Sequence, residues 1–119
     1  MRGGGATLCE TLGLYVEEQL GQRGNRNATN LRFDDGTHAG DLLVYLDNRR
    51  AAGSLVVQQV TIEPNGGNLL LPCLRRLGRI YAPLGLKRVV IESVFSEEWL
   101  EKLGAQGLEI QDSNAVLTF

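Results

Sequence analysis

The amino-acid sequence predicts a single α/β domain with a mixed sheet, spanning residues 1–119. A β-branched run at 54–62 is followed by an amphipathic helical pattern at 69–82 and by a second strand at 88–93. Strand, helix and strand in this order are typical of two parallel strands joined by a right-handed crossover. With 119 residues, 43% of them hydrophobic, the chain has enough apolar material for one core and little for a second domain.

The first helix is predicted at 7–22, where apolar residues recur at helical intervals. Thr7 and Glu10 have the spacing of a capping box, in which two side chains bind free amides at the start of a helix. Gly24 follows the last periodic residue, where the helix is expected to end.

Three strands are predicted after this helix. The polar segment 24–30 is rich in turn formers and is predicted to be a loop. Short strands are expected at 31–33 and 41–46, joined through a hairpin turn at 34–36. The run at 54–62 has apolar residues on both faces, which is typical of a central strand covered on both sides.

The helix predicted at 69–82 has an apolar side and a basic side. Its apolar side consists of Leu70, Cys73, Leu74, Leu77, Ile80, Tyr81 and Leu84. Pro72, Arg75, Arg76 and Arg79 lie opposite. Such an arginine face is typical of the solvated side of an amphipathic helix. The alternative is a contact with a nucleotide phosphate or an acidic partner.

The C-terminal part is predicted to contain one short helix and a closing hairpin. The helix is expected to begin after Ser96, which acts as its N-cap, and to reach Leu103. The hairpin strands are expected at 108–111 and 115–119. The complete predicted order is therefore helix, three strands, helix, strand, helix and two strands.

Charge and hydropathy exclude several classes of protein. Twelve basic and fourteen acidic residues leave a net charge of −2, whereas a dedicated nucleic-acid binder normally has a basic surplus. No apolar run is long enough to span a membrane, and the N-terminus lacks the apolar core of a signal peptide. We therefore expect a cytoplasmic protein with neither a membrane nor a nucleic acid as partner.

The two cysteines, Cys9 and Cys73, form no CxxC pair, and they are predicted to be free thiols in a reducing compartment. Cys73 lies on the apolar side of its helix, where a thiol is expected to be buried and inert. His38 is the only histidine, and it has Asp34 and Asp35 nearby. A metal site needs more ligands than these, so no metal is expected.

Several segments together resemble the GNAT superfamily of N-acetyltransferases. A strand ends in IEP at 62–64, and the loop NGGN at 65–68 leads into a helix. GLKRVVIE follows at 85–92, and a later helix ends in EKLG at 101–104. The element order is similar to that of the family over nearly the whole chain, except that the opening strand of the family is missing.

The resemblance implies that the chain binds acetyl-CoA as a cofactor and transfers its acetyl group to an amine. It implies that the pantetheine arm pairs with the backbone of Val60, Thr61 and Ile62, as an added strand would. The pyrophosphate would bind amides around the helix N-terminus, at Asn65, Gly66, Gly67, Asn68 and Leu69. The alternative for this loop is an ordinary turn with Asn68 as the N-cap.

Two catalytic residues follow from the resemblance. Glu63 would be the general base that deprotonates the amine, directly or through water. Ser93 would replace the usual acid. The alternative for Glu63 is an exposed glutamate at a strand end with no catalytic role.

Departures from the family pattern favour a second function from another class. Leu100 stands where the family often has a tyrosine that protonates the departing thiolate, and the loop at 65–68 lacks the usual glycine spacing. The alternative function is a non-catalytic GNAT-like module that binds another protein. The missing first strand also leaves the strands at 31–46 with an open edge, which predicts a homodimer or a heteromeric partner.

Overall fold

A computed structural model of the protein describes residues 7–21, 25–47, 53–63, 69–92, 94 and 97–119. Its elements are α1 (Leu8–Leu20), β1 (Asn25–Asp34), β2 (Ala39–Asp47), β3 (Ser54–Glu63), α2 (Leu70–Tyr81), β4 (Arg88–Ile91), α3 (Glu97–Ala105), β5 (Glu109–Gln111) and β6 (Asn114–Thr118). A short 3₁₀ turn, Ala82–Leu84, follows α2. This order confirms the predicted α/β class with a mixed sheet.

The strands form one sheet in the order β1-β2-β3-β4-β6-β5. β3 and β4 are parallel neighbours joined by α2, which confirms the predicted crossover unit. The other neighbouring pairs are antiparallel, so the sheet begins with a meander and ends with a hairpin.

The N-terminal boundary of α1 is set by the predicted capping box. The Thr7 hydroxyl accepts a hydrogen bond from the Glu10 backbone N–H at 3.1 Å. The Glu10 carboxylate accepts the Thr7 N–H in return, at 3.4 Å. The helix ends at Leu20 and is capped by Gly21, slightly earlier than predicted. Gly24, the predicted end, lies outside the described residues.

The predicted loop at 24–30 is wrong, because β1 begins at Asn25. Thr29 pairs with Val44 and Asn25 with Leu46, with an irregular register between the two pairs. β1 is an edge strand, and Asn27 to Asn30 are exposed. An edge strand tolerates polar residues because water solvates its free side, so a turn-like composition did not prevent pairing with the long β2.

The three helices pack against one face of the sheet. Residues paired across strands point to the same face, and that face holds Leu42, Val44, Leu46, Leu55, Val57, Val89, Ile91 and Ala115, all buried. The helices contribute Leu12, Val16, Leu74, Leu77 and Leu103 to the same core. The ring of Phe119 adjoins Gly78 of α2, and Ile110 adjoins Gly104 of α3, on this side.

The prediction that 54–62 is covered on both sides holds only for its first four residues. Ser54 to Val57 are buried, whereas the rest of β3 alternates between half-buried and exposed positions. β3 separates from its neighbour β4 after Val57, so the second half of β3 has no strand partner on that side among the described residues.

The apolar side of α2 is rotated relative to the prediction. Ile80 is 49% exposed and Leu84 is 65% exposed, whereas Leu71 and Gly78 are buried. Ile80 lies six residues after the buried Leu74, which places it about 120° around the helix from the core. Apolar residue type alone therefore did not identify which residues at the border of the helix's apolar side are buried.

The prediction of two free thiols is also wrong. Cys9 of α1 and Cys73 of α2 form a disulfide with their Cα atoms 5.1 Å apart. The two residues are separated by 64 positions, so the sequence contains no local signal for their pairing. Because the cysteines are not free, they no longer support the predicted reducing compartment.

Candidate functional site: the fork between β3 and β4

β3 and β4 pair over only four residues and then separate. Their register runs from Ser54 opposite Arg88 to Val57 opposite Ile91. The Glu92 N–H donates to the Val57 carbonyl at 2.9 Å, just beyond the last pair. Among the described residues, no strand pairs with the remainder of β3 on this side.

A β-bulge in β3 coincides with this separation. On the β2 side Val44 is opposite Val57 and Leu43 is opposite Gln59, so Gln58 has no counterpart. A bulge bends its strand and increases the local twist. After β4 the chain turns away from β3 and towards the turn between β5 and β6, where the Val94 N–H donates to the Ser113 carbonyl at 2.7 Å. The two strands therefore diverge as a fork.

The fork opens into a cleft of about 670 Å³. This volume lies within the usual range for small-molecule and cofactor sites. β3 supplies one wall through Gln58, Gln59, Val60 and Thr61, and Glu92 and Trp99 lie across from it. Trp99 comes from α3 and is half-buried, so a large aromatic side chain borders the cleft.

Two polar side chains meet at the closed end of the cleft. The Gln58 amide donates a hydrogen bond from Nε2 to Glu92 Oε1 at 3.4 Å. Both residues are half-buried. The fork therefore combines main-chain groups without a strand partner, an amide, a carboxylate and an aromatic side chain, which together suit a ligand that has both polar and apolar parts.

Of the predicted cofactor residues, the structure describes Val60, Thr61, Ile62 and Leu69. Val60 and Thr61 line the cleft. Ile62 does not line the cleft, and it is half-buried against the core. Leu69 is the N-cap of α2 and has no side-chain capping bond. Residues 65–68 lie outside the described residues.

Glu63, the predicted base, does not line the cleft. Glu63 is the exposed last residue of β3 and borders a separate depression of about 460 Å³ at the end of the meander. Arg32 and Asp41 also border that depression, and Arg32 Nε lies 3.0 Å from Asp41 Oδ1. Ser93 lies outside the described residues.

The hairpin turn near this depression is held by Asp35. Backbone N–H groups of His38 and Thr37 donate to the Asp35 carboxylate at 2.6 and 2.8 Å and lower its pKa. Among the described residues, no group of three His, Cys, Asp or Glu side chains is placed to hold a metal ion. None of the described helices is long and apolar enough to cross a membrane.

Sequence reasoning missed Gln58, Glu92 and Trp99. The adjacent Gln58 and Gln59 interrupt a strand that is otherwise mostly apolar and β-branched, and this polar pair was the available signal that these positions differ from the rest of the strand. Glu92 and Trp99 carried no such signal, since their place at the fork depends on how β4 and α3 pack.

No protein-family model and no curated protein matches this sequence. The GNAT resemblance therefore stays a prediction, based on the order of the elements and on the segments named above.

Proposed function

We propose that the protein binds acetyl-CoA in the cleft at the β3–β4 fork and transfers the acetyl group to an amine, as a GNAT-like N-acetyltransferase. The observation that carries this proposal is the separation of β3 from β4 after Val57 and Ile91, at the bulge of Gln58. The resemblance implied a pantetheine-binding strand at this position, and a splayed parallel pair offers free main-chain groups for it.

The proposed cofactor lies along the second half of β3. Its pantetheine amides pair with the backbone near Val60 to Ile62, and its pyrophosphate lies on the N-terminal side of α2, at 65–69. The first turn of a helix has free N–H groups and a positive dipole end, both of which favour an anion. In this orientation the thioester points towards the fork, beside Gln58 and Glu92.

The transfer requires a base for the attacking amine. The amine nitrogen forms a bond to the thioester carbonyl carbon and the C–S bond breaks. The amine proton passes to a carboxylate, and the resulting carboxylic acid returns a proton, directly or through water, to the departing thiolate. Glu63 is the base predicted from the sequence, and the fork adds Glu92. Glu63 lies six residues beyond Val57, roughly 15–20 Å along an extended strand. Glu92 is therefore the better placed of the two.

Binding is tested by thermal shift with acetyl-CoA. At a hundredfold excess over Kd we expect a stabilisation of about 2.7 kcal/mol and a rise in Tm of several degrees. Gln59 is exposed and borders the cleft, so Gln59→Trp should block the ligand and remove the shift. The control variant Gln111→Trp places the same side chain at an exposed position on β5, and it should keep the thermal shift with acetyl-CoA.

Two results bear on the binding site in different ways. The absence of a shift in the unmodified protein at high acetyl-CoA concentration would contradict the proposal. A shift that persists in both Gln59→Trp and Gly67→Val would mean that acetyl-CoA binds elsewhere, since the second variant places a bulky side chain in the proposed phosphate loop.

The base is tested by comparing Glu92→Gln with Glu63→Gln in an assay of CoA release with a panel of amines. We expect Glu92→Gln to reduce kcat by about 10²-fold or more, with a loss of the base-dependent limb of the pH profile. The effect of Glu63→Gln should be smaller. The opposite ranking would assign the base to Glu63, and no effect of either variant would exclude both carboxylates.

A non-catalytic, protein-binding module is the second candidate. The observation that favours it is the long edge strand β1, whose outer side has no strand partner among the described residues. Such an edge can pair with a strand of another protein or of a second copy. The absence of an acetyl-CoA shift, together with binding of an extended peptide that protects β1 amides from hydrogen exchange, would favour this function.

A further inference from the structure

The outward surface of α1 and α2 is divided by charge. The exposed positions of α1 within its helix are Glu10, Leu14, Glu17 and Glu18. The exposed positions of α2 are Pro72, Arg75, Arg76, Arg79 and Ile80. One helix is therefore acidic outside and its neighbour is basic outside, with one exposed large aliphatic side chain on each.

The two helices lie side by side and run in the same direction. Cys9 is bonded to Cys73, and a Cβ added to Gly13 would lie 3.4 Å from the Tyr81 hydroxyl and 3.9 Å from Leu77. Each contact joins residues 64 to 68 positions apart, so a residue of α1 lies level with an α2 residue about 64 positions later. Glu17 also adjoins Tyr81, whose pKa is raised by burial and by this carboxylate.

A groove of about 510 Å³ lies between the helices. Leu14 and Ile80 line it and are 66% and 49% exposed. Glu10 and Arg76 border it on the acidic and basic sides. Apolar surface rimmed by charges is typical of a protein–protein contact.

We propose that this surface, α1 together with α2, binds the same surface of a second copy in a homodimer whose two-fold axis runs parallel to the helices. Rotation about this two-fold axis places the acidic α1 of each copy against the basic α2 of the other. It also places Leu14 and Ile80 of each copy against the groove of its partner. The contact is isologous, so every favourable pair occurs twice.

Charge decides between this axis and the alternative. A two-fold axis perpendicular to the helices would place α1 on α1 and α2 on α2, so like charges would face each other. With the parallel axis, Glu18 of one copy lies about one helical turn from the level of Arg79 in the other, within reach of two long side chains. Neither Arg76 nor Arg79 has an ion-pair partner among the described residues.

The size of the surface predicts a weak dimer. Two helices of 12 and 13 residues, packed side by side, present a face of roughly 20 by 20 Å. This is smaller than the interface of a typical stable complex. We therefore expect a dissociation constant on the order of micromolar or weaker, and one that rises with ionic strength because charge pairs contribute to it.

The test is analytical ultracentrifugation of the full chain over a range of concentrations, at low and at high ionic strength. We expect a dimer at low ionic strength that dissociates on dilution or on addition of salt. Glu18→Arg and Arg79→Glu should each be monomeric, because each homodimer would have two repulsive contacts. Circular dichroism and Tm check that both variants are folded, and Glu101→Arg, on the exposed side of α3, should still dimerise.

An equimolar mixture of the two variants is the decisive sample. In the mixed dimer, one contact has the native charges and the other has them exchanged, so both attract and the dimer should return. A native protein that stays monomeric at every concentration would overturn the proposal. Single variants that remain dimeric would also overturn it and would place the contact elsewhere, such as the β1 edge. Failure of the mixture to dimerise would overturn the charge pairing.

Discussion

Removal of the Cys9–Cys73 disulfide is expected to lower the free energy of unfolding by about 4 kcal/mol. The bond closes a loop across a separation of 64 residues, and a cross-link of this span removes much conformational entropy from the unfolded chain. For a domain of this size the loss should lower Tm by more than about 10 °C.

The measurement is urea and thermal unfolding of the oxidised protein, the reduced protein and a Cys9→Ala/Cys73→Ala double variant. Cys73 is almost fully buried, so reduction should be carried out under conditions that open the fold. The double variant should have the stability of the reduced protein and should not respond to reductant. Equal stability of oxidised and reduced samples would contradict a structural role for the bond.

The substitution Gly53→Ala is expected to lower the free energy of unfolding by about 3 kcal/mol or more. Gly53 has a φ of +54°, and an added Cβ would overlap the Gly85 carbonyl oxygen. The Gly53 carbonyl also accepts from the N–H groups of Lys87 and Arg88, at 2.8 and 3.3 Å, just where β3 and β4 begin to pair. The new methyl group must therefore displace this junction as well as strain the backbone.

Gly107→Ala is the matched control for this prediction. Gly107 also has a positive φ, of +97°, but a Cβ there would meet no atom within 4 Å. Backbone strain alone should cost about 1–2 kcal/mol. Urea unfolding of both variants separates the two effects, and equal losses would show that the approach of Gly53 to Gly85 contributes nothing.

Most elements were predictable because their signals are local. The capping box of Thr7 and Glu10 depends on residues three positions apart, and it marks the start of α1 as expected. The β-branched run and the helical period after it likewise predicted the parallel pair of β3 and β4. The first part of β1, residues 25–30, was the exception, because its pairing with β2 prevailed over a polar, turn-like composition.

The candidate site was predictable only in part. Val60 and Thr61 were named through the family resemblance, and both line the cleft. Gln58, Glu92 and Trp99 were not named, because a bulge depends on the register between two strands and a cleft depends on the strands and helix around it.

The sequence by itself determined the class of the fold and the order of its helices and strands, since periodicity, caps and turn residues act over a few positions. It also determined that one helix would have a basic face, at Arg75, Arg76 and Arg79. Only the tertiary structure decided that an acidic helix lies beside that face, that Cys9 meets Cys73, and that β3 leaves β4 after four pairs. These features join residues far apart in the chain, and their contacts depend on the packing of the helices against one face of the sheet.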